Sequence, residues 1–528
     1  MKKILIYVTA LAMLFISQAT NAQAPDNWFN KDKMSDGVQG VSTEKAYELL
    51  KGKSSTPVIV AIIDSGVDLE HEDLSDIIWV NEDEIAGNGK DDDNNGYVDD
   101  VNGWNFLGGP DGKNINEETL EITRLYRYYT KKFGDADKKM LNKDQKEEYE
   151  RYMDIKKAFE SKTEELEGSI ERVKSYFGDL TKAVEMMEEK DLEITEENIN
   201  KLPEGTDEQK AMKEKMKYAL NRGMDFNNME ETKNGALDYY QNSLKYHYNP
   251  DHNPRTIIGD DYSNSYETGY GNSDAEGPDA GHGTHVGGIV GAIRGNDVGM
   301  DGVADNVKIM SIRAVPDGDE HDKDVANAIR YAVDNGASII NMSFGKSYSW
   351  DKKAVDEAVA YAVKNDVLLV HAAGNSAQNN DVSDNFPNDI YDKKFLFFKK
   401  KAKTWIEVGA LSWKEGEDMV AGFSNYGKDQ VDIFAPGYQI YSTIPQSDYA
   451  TFSGTSMASP TVAGVAALIR SYFPKLSAKK VKKILLKSAV TFDTEVKVPG
   501  MDGEKKSFKE LSATGGVVNA YEAVKMAM

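Results

Sequence analysis

The segment Thr56–Gly66, TPVIVAIIDSG, is a continuous apolar run that ends in glycine, the pattern of a strand buried on both faces. KIMSIRAV, ASIINMSFG and VLLVHAAGN repeat it further along the chain. Between them lie segments with helical periodicity, among them DVANAIRYAVDNG and KKAVDEAVAYAVKND. Strand–helix alternation of this kind predicts an α/β fold, a doubly wound and mostly parallel sheet with helices on both faces. In such a sheet the polar residues at the carboxyl ends of the strands mark the place for a site.

A different pattern occupies Asn114 to Pro250, which is charged, rich in Glu and Lys, and poor in strand signals. Leu166, Ile170, Val173, Phe177, Leu180, Val184 and Met187 recur in alternating steps of four and three, a heptad seam on one helix face. LPEG at 202–205 breaks the run, and Pro250 and Pro254 mark the return to the main pattern. The prediction is a charged all-α insertion over 107–254, dividing one α/β domain into 23–106 and 255–528. A third pattern is FSGTSMASPTVAGVAAL, Phe452 to Leu468, which is apolar nearly all round and therefore belongs to a buried helix. Its first turn carries Ser456.

Composition narrows the partners. The 528 residues carry a formal net charge of −25, and an acidic surface repels phosphate backbones, so nucleic acid is excluded as a partner. There are no cysteines, which removes disulfides, thiolate metal sites and a cysteine nucleophile. Residues 1–22 place Lys2 and Lys3 before an apolar run and small residues, the layout of a secretory signal peptide. The mature chain is then secreted or periplasmic, and no later run is long enough to span a membrane.

Three short segments carry the chemistry: Ile62-Ile63-Asp64-Ser65-Gly66, Gly281-His282-Gly283-Thr284-His285-Val286, and Ser453 to Pro460 around Ser456. Each alone reads as a cap or a packing residue. Together they supply a nucleophile, a base and an orienting carboxylate. These motifs, in the order Asp, His, Ser, resemble the subtilisin-like serine proteases, the subtilases. Asn341-Met-Ser-Phe-Gly345, Ala372-Ala-Gly-Asn375, Phe423-Ser-Asn-Tyr-Gly427 and Phe434-Ala-Pro-Gly437 extend the resemblance. It implies a subtilisin-like fold and a serine endopeptidase acting on protein or peptide substrates. It implies Asp64, His282 and Ser456 as the triad, and Asn375 with the Ser456 backbone N–H as the oxyanion hole. It also implies that Ser343, Phe344 and Gly345 pair with an extended substrate. His285 is expected to pack within its helix and His371 to be a core histidine. The competing reading is a catalytically inactive scaffold that binds or chaperones through its helical insertion.

Oxygen ligands recur along Asp91, Asp93, Asn95, Asp99 and Asp100, around Gly96, a spacing that suits structural Ca²⁺. Resemblance adds Asp73 and Asn296 as side-chain ligands of a second calcium site. Relatives usually carry an N-terminal pro-domain, and the stretch before Asp64 leaves no room for one. The insertion is the candidate substitute, as a gate over the cleft or a dock for a partner.

Overall fold

The computed structural model describes residues 24–395 and 398–528, with side chains outside 393–399. The expected signal peptide, 1–22, lies outside the described residues. The chain separates into two compact units, one formed by Ala24–Glu121 with Asn253–Met528, the other by Ile122–His252.

The first unit is built on a nine-stranded sheet. Its strands are β1 (Val58–Asp64), β2 (Gly103–Asn105), β3 (Val307–Arg313), β4 (Ile339–Met342), β5 (Leu368–Ala372), β6 (Trp405–Leu411), β7 (Ile433–Pro436), β8 (Val490–Thr491) and β9 (Gly516–Val517). They lie in the order β8-β9-β7-β6-β5-β4-β1-β3-β2. All pairings are parallel except that of β8 with β9. This is the predicted doubly wound sheet.

Alternation along β1 shows why its apolar run is unbroken. Val60 and Ile62 join one core, with Val286 and Ile289 of the helix Gly281–Gly291 and Val462, Ala463 and Ala466 of the helix Thr455–Tyr472. Ala61 and Ile63 join the other, with Val325 and Ile329 of Asp322–Asp334 and Val355 and Val359 of Lys352–Lys364. Each face of the strand is covered, so both sets of alternate residues must be apolar. Asp64, Asn341 and His371 all fall at or near the carboxyl ends of their strands, which gathers them along one edge of the sheet.

The second unit is all helix. A single helix of 46 residues, Lys143–Glu188, is capped by a reciprocal Asn142–Gln145 box. The heptad seam is its buried face: Leu166, Val173, Phe177, Leu180 and Met187 pack with Met212 and Met216 of Asp207–Asn221 and with Met229 and Tyr240 of Met229–Asn242. The seam also extends earlier than predicted, since Tyr126 stacks on Phe159 with centroids 4.1 Å apart. The unit begins at Ile122 rather than at 107. Leu107 and Ile115 are buried in the core of the sheet unit, which binds that stretch to the sheet. Among the described residues, no helix is long and apolar enough to cross a membrane.

Candidate active site

β1 delivers Asp64 to the sheet edge, and the helix Gly281–Gly291 brings His282 onto it. The approach depends on Gly283, where a Cβ would lie 2.0 Å from the Gly66 carbonyl oxygen and 3.2 Å from the Asp64 Cβ. His282 Nδ1 stands 2.6 Å from Asp64 Oδ1. Asp64 is buried; its Oδ1 also accepts from the Ser65 N–H at 2.8 Å, while its Oδ2 has no partner among the described residues. A ring that donates from Nδ1 leaves Nε2 as the acceptor. Burial pulls the His282 imidazole down, but the charge and hydrogen bond of Asp64 outweigh it, with Asp279 adding to them, and the net pKa lies above the ordinary value.

Ser456 sits in the first turn of a buried helix, as its surroundings in the sequence predict. Pro460 lies four residues on, and a proline has no N–H to give to the carbonyl one turn back. The Ser456 carbonyl instead accepts from Ser343 Oγ at 2.8 Å, and Ser456 Oγ donates to the Ser343 carbonyl at 3.0 Å. The two serines thus clasp each other. Behind them, Ser459 Oγ donates to Asn341 Oδ1 at 2.7 Å and Asn341 Nδ2 donates to Ser343 Oγ at 2.9 Å, all of it buried. Ser456 Oγ is therefore bonded to Ser343 and not to His282. Ser343 itself lines a cleft of about 450 Å³ shared with Asp64 and His282.

Asn375 is held by its oxygen. Oδ1 accepts from the Thr455 N–H at 2.8 Å and from Thr455 Oγ1 at 3.0 Å, while Thr455 Oγ1 accepts from the Gly374 N–H at 3.1 Å. That leaves Nδ2 facing Gly454, where a Cβ would lie 3.3 Å from Asn375 Nδ2 and 3.5 Å from the Ser456 nitrogen. The Asn375 side-chain nitrogen and the Ser456 backbone nitrogen thus both lie close to the open side of Gly454. Ser343, Phe344 and Gly345 follow directly on β4. A Cβ on Gly345 would meet Asn385 Oδ1 at 2.7 Å. Asn385 and Asn425 were not singled out by the sequence, yet both donate to the Ala373 carbonyl, at 3.1 and 2.9 Å, and so brace the segment that carries Asn375. Only the Ser-Asn-Tyr segment gave a hint of Asn425.

The remaining histidines of these segments are structural. His285 Nε2 lies 3.1 Å from both the Ile440 and Ala450 carbonyls, its ring stacks on Phe452, and burial drives its pKa down to about 3. His371 is fully buried with Nδ1 3.0 Å from both Glu407 oxygens, and Trp405 Nε1 donates to the same carboxylate at 2.8 Å.

In the acidic loop, Asp93 and Asp100 converge with Glu84, one oxygen of each lying within 4.8 Å of the others. Glu84 Oε1 accepts from the Asp92 N–H at 2.8 Å, whereas its Oε2 is buried with no partner among the described residues. Asn95 Nδ2 donates to both Asp93 and Asp100, at 2.9 and 3.1 Å. Asp91 instead caps the Asn95 and Gly96 N–H groups, and Asp99 those of Asn88 and Gly89. Glu84 was missed because it precedes the repeat. Asp73 and Asn296 also meet, with Asn296 Nδ2 donating to Asp73 Oδ1 at 2.7 Å.

The model of the subtilase family matches residues 55–515. Thermophilic serine proteinase from Bacillus sp. (strain AK1) is 42% identical over 191 residues, which are 36% of this chain and 42% of that protein. Subtilisin DY from Bacillus licheniformis is 36% identical over 40% of this chain and 70% of its own length. Thermitase from Thermoactinomyces vulgaris is 34% identical over 46% of this chain and 75% of its own. The first of these alignments thus spans less than half of the relative. The chain belongs to the subtilase family, a class of serine-type endopeptidases.

Proposed function

We propose that the chain is a secreted serine endopeptidase that cleaves peptide bonds through an acyl-enzyme on Ser456. Ser456 Oγ attacks the substrate carbonyl carbon, and His282 Nε2 takes its proton. Asn375 Nδ2 and the Ser456 N–H receive the oxyanion. His282 then returns the proton to the leaving amine, and water releases the acyl group by the same steps in reverse. Asp64 fixes the tautomer of His282 and stabilises its protonated form. The observation that carries this reading is the 2.6 Å Asp64–His282 pair, in a cleft whose Ser343 wall is clasped to Ser456. A fluorophosphonate probe should label the protein, and Ser456→Ala should abolish both labelling and peptide cleavage. Labelling of the alanine variant would overturn the assignment. Export rests on the layout of residues 1–22, and N-terminal sequencing of the mature protein should begin shortly after Ala22.

We also propose structural Ca²⁺ in the acidic loop. The donors fit: all are hard oxygens, and a buried Glu84 oxygen with no partner among the described residues, beside two more carboxylates, is unfavourable without a cation. Glu84, Asp93 and Asp100 would hold the ion, which supplies rigidity rather than a catalytic step. Ligand binding to the folded state alone raises its stability, so a chelator should lower Tm and added calcium restore it. An unchanged Tm in chelator would count against the site. For the helical unit the proposal is control of access: its deletion should alter turnover of folded proteins more than of short peptides, and equal changes would refute this.

A further inference from the structure

This acidic chain carries a concentrated run of the opposite sign. Residues 393–403 read KKFLFFKKKAK, six lysines and four large apolar residues without a carboxylate, in a chain whose formal net charge is −25. The run belongs to an antiparallel pair of strands, Ile390–Phe395 with Phe398–Lys401. Residues of this pair and of the helix Lys352–Lys364 line a cavity of about 370 Å³. Its floor has Ala360, Val363 and the Tyr391 ring, and its rim has Lys364, Lys400 and Lys403, all three exposed. Carboxylates also stand at the rim, but each is answered within the protein. Asp356 accepts from Lys352 Nζ at 2.6 Å and from the Asp392 N–H at 2.9 Å. Glu357 accepts from Tyr266 Oη at 2.7 Å with Lys353 Nζ 3.9 Å away, and Asp392 lies 3.8 Å from Lys352 Nζ. Lys401 is engaged as well, by Asp389 at 3.3 Å and by the Asp429 carbonyl at 2.8 Å. Lys364 and Lys403 have neither an ion pair nor a hydrogen bond among the described residues, and Lys400 lies only over the Tyr391 ring, 5.9 Å from its centroid.

A cavity with an apolar floor and three free ammonium groups at its rim fits a ligand that is apolar in body and anionic at its head. The phenylalanine and lysine run beside it has the composition of a segment that lies at a membrane surface. We propose that this face docks the protein on an anionic lipid surface, with the phosphate of a lipid headgroup held by Lys364, Lys400 and Lys403. The acidity of the rest of the chain makes such docking directional. An anionic membrane repels the molecule as a whole, so a basic face must lead, and the contact orients the protein as well as holding it. Each ammonium group near such a surface contributes about fivefold to binding, so three contribute roughly hundredfold, and the attraction fades within a Debye length. Acidic polymers and small phosphates share the charge of a headgroup but have nothing to place on the apolar floor.

The test uses the mature chain, without residues 1–22, so that their apolar run does not itself enter a bilayer. Vesicles of phosphatidylcholine, with or without phosphatidylglycerol, are mixed with it and sedimented. Binding should require phosphatidylglycerol and should weaken as salt rises. Replacing Lys364, Lys400 and Lys403 together by glutamine should weaken binding roughly hundredfold. Hydrolysis of a short peptide and Tm should stay at wild-type values, since these three side chains are exposed and hold no other part of the fold. A second variant makes the same change of net charge elsewhere, with glutamine at the exposed Lys479, Lys480 and Lys483 of the helix Ala478–Lys487. It should bind nearly as the wild type does. The proposal is overturned by no binding to phosphatidylglycerol vesicles, by equal binding to both kinds, or by an equal loss in the two variants. Release of the bound protein by millimolar inorganic phosphate at constant ionic strength overturns it too, because the rim is then a site for a free anion and not for a lipid surface.

Discussion

The two units of this chain are stabilised in opposite ways. In the sheet unit, polar groups lie in the interior and are ordered into chains: Ser459 to Asn341 to Ser343 to the Ser456 carbonyl, and Gly374 to Thr455 to Asn375. Buried polar groups cost free energy unless every partner is in place, so each such chain fixes one geometry. In the helical unit, most charges lie outside, in pairs such as Lys162–Glu165 and Lys174–Glu171, which contribute a few tenths of a kcal/mol each, with Lys213 and Arg124 as buried exceptions. Its hydrophobic core is methionine-rich, with Met187, Met212, Met216 and Met229 packed in one cluster. Methionine adapts to its neighbours and specifies little beyond volume. The first unit is therefore built to hold particular atoms in particular places, and the second to hold a shape.

Substitutions should separate these two regimes. The largest effect is expected for Ser456→Ala, a loss of about 10⁴–10⁶-fold in kcat with Tm unchanged within a few degrees, read by peptide hydrolysis and thermal melts. Asp64→Asn should follow at about 10⁴-fold, because the amide favours the wrong imidazole tautomer. Asn375→Ala should cost about 10²–10³-fold in kcat with little change in KM, since its donor acts on charge that develops only in the transition state. A matching rise in KM would indicate that Asn375 binds ground-state substrate instead. In the helical unit the pattern reverses. Leu180 is fully buried at the centre of the seam, and Leu180→Ala should destabilise that unit by about 2–5 kcal/mol while leaving hydrolysis of a short peptide at the wild-type rate. Loss of peptide hydrolysis in that variant would show that the two regimes are not separable.

The same contrast explains what the sequence reveals. A strand buried on both faces must be apolar throughout, and a heptad seam must repeat, so the parallel sheet and the long helix are both visible as patterns. The Asp64 and His282 motifs are visible because glycines crowd them for steric reasons, as Gly283 shows against Gly66. Partners that act through a single hydrogen bond leave no such trace. Asn385 and Asn425 brace Ala373 from distant segments, and Glu84 joins Asp93 and Asp100 from ahead of the acidic repeat. Pro460 marks a deliberate gap in the helix ladder, but only coordinates show that Ser343 fills it. The boundary of the helical unit is obscured for a related reason. Residues 107–121 carry the polar composition of the insertion while Leu107 and Ile115 are buried against the sheet.

The smallest expected effect tests whether charge in the sheet unit is placed as strictly as its hydrogen bonds. The groups facing His282 are the Asp64 carboxylate, Asp279 and, one turn along the same helix, His285, which burial keeps neutral in the working range. Arg313 lines the same cleft but donates to three carbonyl-type oxygens of other segments. Asp279 contributes to the raised pKa of His282 by stabilising the protonated ring. Removing that charge in Asp279→Asn must lower the pKa. Catalysis needs the neutral ring to accept the Ser456 proton, so activity is lost as pH falls through the His282 pKa. A lower pKa therefore moves the acid limb of the kcat/KM profile to lower pH, and the variant retains relatively more activity than the wild type on that limb. The profile is measured with a norleucine peptide, so that substrate charge does not enter, and at low ionic strength, where an exposed carboxylate is least screened. An acid limb that stays in place, or moves to higher pH, would mean that Asp64 alone sets the field at the base and that Asp279 belongs to the surface rather than to the ordered interior.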